Sequence, residues 1–359
     1  MLMSTNTAVG GSWLIEDDPT HFRRWATNTV YPFPLKPREG VIGAAEGCWL
    51  QLEDEANRVS RQHARLSHDN GQWLVTDLRS KNGVHHDGAR RPVVVLAPGV
   101  EIGIGDITLI TESPLLAALR RVLTRWIGWS AERQEDIDLA LRSVRLAATL
   151  RGALHLCGAG NLVAIARLLH RHTLGDARPF IVCDPRRKRA DESARAATNY
   201  DSGMEALTAA AGGTLCIWQN RQPDDFDQVV EALRKPATHV QLVVCTHTLQ
   251  ANDPLIGSPI VLPPLAERAS ELDRIIDEST VDAGAAPGET LPPVYREWLY
   301  QREASTLSRI EKATRRLFAI HKAEGSVTRA ATQLGMAHAT LSEWFARRTL
   351  EIGDDDDDN

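Results

Sequence analysis

The sequence predicts a multidomain chain: an all-β sandwich, then an α/β domain with a largely parallel sheet, then an all-α segment. Three observations carry this. Between Trp49 and Thr111, short β-prone runs recur at close spacing, separated by turn signals at Asp69-Asn70-Gly71, Asp87-Gly88, Pro98-Gly99 and Gly105-Asp106, the pattern of a sandwich. From Ala131 to Glu278 helical and strand-like stretches alternate, which predicts a three-layer α/β fold. From Ser305 onward apolar residues return at helical spacing.

Composition bounds the class. At 359 residues the length suits two or three domains, each large enough for its own core. Charged residues make up 25% and hydrophobic ones 43%, as in an ordinary soluble protein. The net charge of −6 rests largely on five consecutive acids, Asp354 to Asp358. Cys48, Cys157, Cys183, Cys216 and Cys245 stand singly, without the spacing of a zinc site or a disulfide framework, so reduced thiols are expected. No basic start with an apolar core and no long apolar run is present, and a cytoplasmic protein without membrane attachment is expected.

In the first domain the expected strands are Trp49 to Leu52, Gln72 to Asp77, Val93 to Leu96, Val100 to Ile104 and Ile107 to Thr111. They suffice for a domain that stands alone. Two loops between them carry chemistry: Ser60-Arg61-Gln62-His63 and Asp77-Leu78-Arg79-Ser80-Lys81-Asn82-Gly83. A hydroxyl beside a guanidinium can grip a phosphate, and an asparagine can hold a peptide backbone. Asn-Gly is also a common turn pair in its own right.

From Phe22 to Ser113 the chain resembles a forkhead-associated (FHA) domain, through Val41-Ile42-Gly43, the S-R-x-H of Ser60, Arg61 and His63, and the D-L-x-S-x-N-G of Asp77 to Gly83. The resemblance implies a sandwich that binds phosphothreonine in partner proteins. Ser60 and Arg61 would touch the phosphate with Gln62 and Lys81 beside them, Asn82 would hold the ligand backbone, and Gly43, His63 and Gly83 would be structural. Two positions depart from the family pattern. Ala44 replaces an arginine and Lys81 a threonine, and losing one cation from a phosphate site costs about 1.5–3 kcal/mol, part of which Lys81 would restore. Residues 1–21 precede this domain.

Ser113-Pro114 opens a connector helix, residues 114–132, with Leu115, Leu116, Leu119, Val122, Leu123, Trp126 and Ile127 on one face. It packs on a neighbouring domain or binds a partner. Residues 133–281 form the α/β domain: a helix near Ile137 to Thr149, a strand at Leu154 to Cys157, a helix from Leu162 to His170, and strands at Phe180 to Cys183, Gly213 to Trp218 and Val240 to Cys245.

Four segments of this region, Ala166 to His170, Pro179 to Val182, Ala210 to Leu215 and Leu262 to Arg268, resemble the AAA+ domain of bacterial sigma-54 enhancer-binding proteins. The catalytic parts are missing. The phosphate loop reads Cys157-Gly158-Ala159-Gly160-Asn161-Leu162, and no lysine lies between Lys81 and Lys188, although ATP binding needs a lysine at the β/γ-phosphates. The strand that should end in two carboxylates ends in Trp218-Gln219, and no G-A-F-T-G-A loop lies between Phe180 and Gly212. A degenerate, inactive ATPase fold follows, with no catalytic residue, cofactor or metal. Gly158 to Gly160 before a helix retains the makings of an anion site. Arg186-Arg187-Lys188-Arg189 suits phosphates or nucleic acid, yet Asp184, Asp191 and Glu192 flank it as in a solvated loop. His170 and His172, two apart, do not point at one metal on a helix.

Residues 282–304 read as a linker, with a shift to Ala, Gly, Pro and Thr from Asp282 that ends in Leu291-Pro292-Pro293. Residues 305–350 are helical. Ile310, Ala313, Leu317, Phe318 and Ile320 form one apolar face, closed at Gly325. Val327 to Leu334 and His338 to Arg348 are the second and third helices, with Leu341 and Phe345 in the core. Ala331 and Gly335 fit the close crossing of a helix-turn-helix. The run from Gly325 to Leu341 resembles the Fis-type helix-turn-helix that ends the same enhancer-binding proteins. Eight basic residues against three acidic between Ser308 and Thr349 suit a DNA backbone. His338, Ala339, Thr340, Ser342 and Glu343 would face base edges, and Arg347 and Arg348 would reach phosphates. Such motifs read two half-sites as a dimer, so a homodimer is implied. Residues 351–359 are an acidic tail, either solvated or competing with DNA.

The expected function is therefore a bacterial transcription regulator that binds a phosphothreonine partner through the first domain and double-stranded DNA through the last. A second reading, a phosphoprotein adaptor whose helix-turn-helix is only a dimerisation module, stands beside it.

Overall fold

The computed structural model describes residues 17–150, 152–188, 197–235, 238–248 and 259–346. The chain divides into two units, Met1–Leu262 and Pro263–Asn359. The first opens with eleven strands: β1 (His21–Arg24), β2 (Val30–Pro32), β3 (Glu39–Gly43), β4 (Leu50–Gln51), β5 (Ala64–Asp69), β6 (Gln72–Asp77), β7 (Val84–His86), β8 (Ala89–Arg91), β9 (Val93–Leu96), β10 (Glu101–Ile104) and β11 (Ile107–Glu112). One sheet runs β2-β1-β11-β10-β7-β8 and the other β4-β3-β5-β6-β9. Strand alternation turns Leu66, Trp73, Val75, Ile102, Ile104 and Leu109 inward to a common core with Phe22, Phe33 and Ile42. Each such side chain contributes about 1.5–3 kcal/mol by leaving water. Six of these strands, β1, β2, β3, β5, β7 and β8, are short or mixed in pattern, so alternation alone did not announce them; β3 is the segment the family pattern marked.

Helix α1 (Pro114–Ile127) starts where Ser113 Oγ accepts from the Leu116 N–H at 3.2 Å, with Pro114 in the first turn. Its buried face holds Leu116, Leu119, Leu123, Trp126 and Ile127. Leu115, expected on that face, is 49% exposed; the next helix is α2 (Gln134–Leu150).

A buried charge cluster joins the sandwich to these helices. Arg23 on β1, 1% exposed, donates from Nε to Glu112 Oε1 at 2.7 Å and from Nη1 to Asp138 Oδ2 on α2 at 3.0 Å. Its Nη2 also meets Asp138 Oδ1. Asp138 accepts in addition from the Ala26 N–H at 2.7 Å, and Glu112 pairs with His21 Nε2 at 3.1 Å. Burial alone would push the Glu112 carboxyl up, but the His21 hydrogen bond and the Arg23 charge hold it below the usual carboxylate range.

The α/β part follows as β12 (Leu154–Gly158), α3 (Leu162–Thr173), β13 (Phe180–Cys183), β14 (Thr198–Tyr200), α4 (Gly203–Ala209), β15 (Thr214–Trp218), α5 (Phe226–Leu233), β16 (Gln241–Thr246) and β17 (Ile260–Leu262). The sheet order is β14-β13-β15-β16-β12-β17, with every adjacent pair parallel. All residues of β13 and β15 are buried, as expected of central strands covered on both faces.

The second unit contains α6 (Leu272–Asp282), α7 (Pro293–Arg302), α8 (Leu307–Lys322), α9 (Val327–Gln333) and α10 (His338–Ala346). Two expectations are corrected here. The stretch read as a linker holds α7, which buries Tyr295 and Leu299; its Ala, Gly and Pro content is confined to the segment before it, and Pro293 takes a first-turn position where no N–H is needed. The inward aromatic of α10 is Trp344, 8% exposed, and not Phe345, which is half-buried. With Leu341 at 0% exposure, the positions three and four further on both lie near its face, and the indole three further on is the one turned inward. Trp344 meets Trp298 of α7 edge to face, ring centroids 5.9 Å apart.

Candidate functional site

The loops after β4 and after β6 meet at one end of the sandwich, and His63 is the post between them. Its ring is fully buried. Nδ1 accepts from the Ser60 N–H at 3.0 Å and Nε2 donates to the Gly83 carbonyl at 3.1 Å, a pairing that fixes the neutral Nε2–H tautomer. Ser60 Oγ accepts from the Lys81 N–H at 3.1 Å, which brings the hydroxyl of one loop against the backbone of the other.

Asn82 donates from Nδ2 to the Arg58 carbonyl at 2.7 Å, which ties its side chain to the backbone of the other loop. Ser80 closes the second loop: its Oγ donates to Asp77 Oδ1 at 2.5 Å and accepts from the Gly83 N–H at 2.9 Å. Gly83 sits at φ +80, a conformation costly to any residue with a Cβ. Gly43 serves differently. A Cβ there would drive into the Arg61 carbonyl and lie 2.9 Å from the Ser60 carbonyl. Its absence lets Ala44 and Ala45 donate to the carbonyls of Ser60 and Arg61, both at 3.1 Å.

The outcome is a rigid rim with exposed cations. The Arg61, Gln62 and Lys81 side chains are exposed and hydrogen-bond to no described residue. Arg58 is the participant the sequence reading missed. It supplies the carbonyl that aims Asn82 and pairs through its guanidinium with Asp106 at 2.9 Å. Its position two residues before Ser60 was the available signal. An exposed guanidinium beside a fixed hydroxyl and an oriented amide matches the needs of a phosphorylated peptide.

Away from this rim, the other expected sites are placed as follows. Gly158 to Asn161 turns from β12 into α3, and Asn161 Oδ1 accepts from the Ala164 N–H at 3.3 Å. At the C-terminal ends of the parallel strands Trp218 also stacks against His247 at 4.7 Å, and Arg221 binds the buried Asp184 at 2.9 Å. Arg186 donates to the Asn220 carbonyl and Arg187 pairs with Asp184; Arg189, Asp191 and Glu192 lie outside the described residues. His170 is hydrogen-bonded to Thr214 Oγ1 at 2.8 Å and to the Arg178 carbonyl at 3.0 Å. Burial pushes the Cys157 thiol up and the Cys183 thiol up to about 12, so both are protonated at neutral pH. Among the described residues no group of three or more His, Cys, Asp or Glu is placed to hold a metal ion, and no helix is long and apolar enough to cross a membrane.

On α10, His338, Ala339, Thr340 and Glu343 are exposed and Ser342 is half-buried. Arg347 and Arg348, together with the acidic tail, lie outside the described residues.

The eleven-stranded sandwich with its two braced loops defines the class: the chain carries an FHA domain. Residues 40–105 match the FHA domain family. The chain is 36% identical over 76 residues to the FHA domain-containing protein FhaB of Mycobacterium tuberculosis, a match covering 21% of this chain and 48% of that protein. It is 37% identical over 70 residues to FhaB of Mycolicibacterium smegmatis, covering 19% and 44%. The chain thus spans about half the length of the curated relatives it matches. Among solved structures it is similar to Mycobacterium tuberculosis EmbR in complex with a low-affinity phosphopeptide, at 28% identity and a TM-score of 0.24 over 27% of this chain and 25% of that one. It is also similar to the FhaA FHA domain in complex with the intracellular domain of another protein, at 26% identity and a TM-score of 0.24 over 26% of this chain and 99% of that one.

Proposed function

We propose that this chain is a phosphothreonine-reading regulator: the FHA rim binds a phosphorylated partner, and the helix-turn-helix of α8 to α10 binds double-stranded DNA as a homodimer. The observation that carries the first half is the rim itself, with Ser60 Oγ held by the Lys81 N–H at 3.1 Å, Asn82 aimed by the Arg58 carbonyl at 2.7 Å, and Arg61 left exposed. Phosphate would sit on Ser60 and Arg61 with Lys81 as an added cation, and the Asn82 amide would hold the ligand backbone.

The DNA half is supported by the exposed side of α10 and the cation excess of the last helices. The α/β part is read as a scaffold derived from a P-loop ATPase that no longer hydrolyses ATP. Its all-parallel sheet supports the origin. The absence of a lysine from the turn after β12, and the Trp218 and His247 rings at the same C-terminal end of the strands, support the loss.

One experiment addresses both halves. Calorimetric titration with phosphothreonine peptides should show binding that the unphosphorylated peptide lacks, and Arg61→Ala should weaken it by about 1.5–3 kcal/mol. In the same preparation, Arg347→Ala/Arg348→Ala should lower DNA affinity and its salt dependence. Peptide binding without any DNA affinity would leave the adaptor reading.

A further inference from the structure

Among the described residues, strand β9 is the last strand of its sheet, bonded to β6 on one side only. Its sequence is Val93-Val94-Val95-Leu96, with exposed and buried residues in strict alternation. Val94 and Leu96 enter the core, while Val93 and Val95 are 47% and 50% exposed. Edge strands are normally protected by a charge, a proline or a bulge, and these four residues contain none of these.

The backbone direction is set by one bond. The Asp77 N–H donates to the Pro92 carbonyl at 2.9 Å, so the carbonyl of Pro92 faces β6. By the alternation of an antiparallel ladder, the backbone groups of Val94 and Leu96 also face β6, and those of Val93 and Val95 face the open edge.

We infer that the β9 edge is a homodimer seam, its occupant the β9 strand of a second copy of this chain, running antiparallel. With Val94 on the two-fold axis, Val93 of one copy lies opposite Val95 of the other. Each opposed pair exchanges two N–H···O=C bonds through groups that already point outward. Pro92, which has no N–H to give, falls opposite Leu96, where no bond across the seam is required. On the outer face the four valines of the two copies form a continuous β-branched stripe, flanked by the half-buried Leu74 that pairs with Val95. Charges at the two ends are complementary. Arg91, exposed, precedes the strand, and the exposed Asp18 is among the residues lining the cavity that Leu96 and Ala97 also line at its far end. Neither has an ion partner among the described residues, and antiparallel pairing sets the Arg91 end of one copy beside the Asp18 end of the other. A second copy satisfies the open bonds, the stripe and both ends at once, and closed two-fold symmetry halts growth after one pairing.

The test uses the full-length chain. Sedimentation across micromolar concentrations should show a reversible dimer, and amide exchange at Val93 and Val95 should slow as concentration rises. Val93→Lys/Val95→Lys, altering two half-exposed positions, should weaken association about tenfold or more by placing like charges on an edge. A monomer at every concentration overturns the seam, and so does a dimer that the lysine variant leaves intact. Should that variant fail to fold, amide exchange in the unaltered chain decides: Val93 and Val95 amides that exchange freely within the dimer overturn the proposal.

Discussion

Arg23 and His63 do most of the single-residue work in the sandwich, and only one of them was legible beforehand. His63 belongs to a short pattern whose spacing places it inside a loop, so its role followed from neighbours in sequence. Arg23 looks like any surface cation in a β-run; its partners Glu112 and Asp138 lie 89 and 115 positions away, and only the fold brings them together. Removing one partner of a buried pair leaves an uncompensated charge, so Asp138→Ala should lower stability by about 3–5 kcal/mol in urea unfolding. His63→Ala leaves the Ser60 N–H and the Gly83 carbonyl unmet, and about 2–4 kcal/mol should be lost in the same measurement. The depressed Glu112 carboxyl adds a pH signature. Its contribution is complete above the ordinary carboxylate range near about pH 4.3 and is lost as pH falls through the lower folded value. Glu112→Gln should therefore flatten the acid limb of the melting-temperature profile.

At the level of elements, local chemistry decided which were visible. Helix α1 was announced by Ser113-Pro114, a cap and a first-turn proline, and the structure puts the Ser113 hydroxyl on the Leu116 N–H. Ser113→Ala should cost about 0.5–2 kcal/mol, readable as a lower melting temperature. Strands β6 and β9 were read with the limits they have, because each is a short run rich in apolar and β-branched residues, with Asp69-Asn70-Gly71 before β6 and Pro98-Gly99 after β9 as turn signals. The three-residue strands β2, β7 and β8 are too short to show any period. Helix α7 was hidden by the Ala, Gly and Pro content preceding it, and the inward turn of Trp344 by the choice between positions three and four residues from Leu341. Of the site elements, the two loops were legible as motifs, while the anchoring of Asn82 on the Arg58 carbonyl was not, since a backbone acceptor leaves no trace in residue identity.

For the molecule as a whole, the described residues depart from a string of independent modules. The sandwich, α1, α2 and the parallel sheet belong to one unit ending at Leu262, with Arg23 and Asp138 bonded inside it. A fragment of residues 17–262, which keeps every residue of the rim, should bind phosphothreonine peptide within about twofold of the full chain. A fragment ending at residue 113 should melt well below it in calorimetry, because Arg23 then keeps Glu112 and loses Asp138. The same pair bears on vectorial synthesis. A nascent chain emerging from the ribosome completes β1 to β11 before Asp138 is made, so Arg23 waits, half-neutralised, until α2 has cleared the exit tunnel. The ribosome-bound sandwich is then a softer species than the released one, and a pause in translation just before α2 would lengthen the time it is open to proteases.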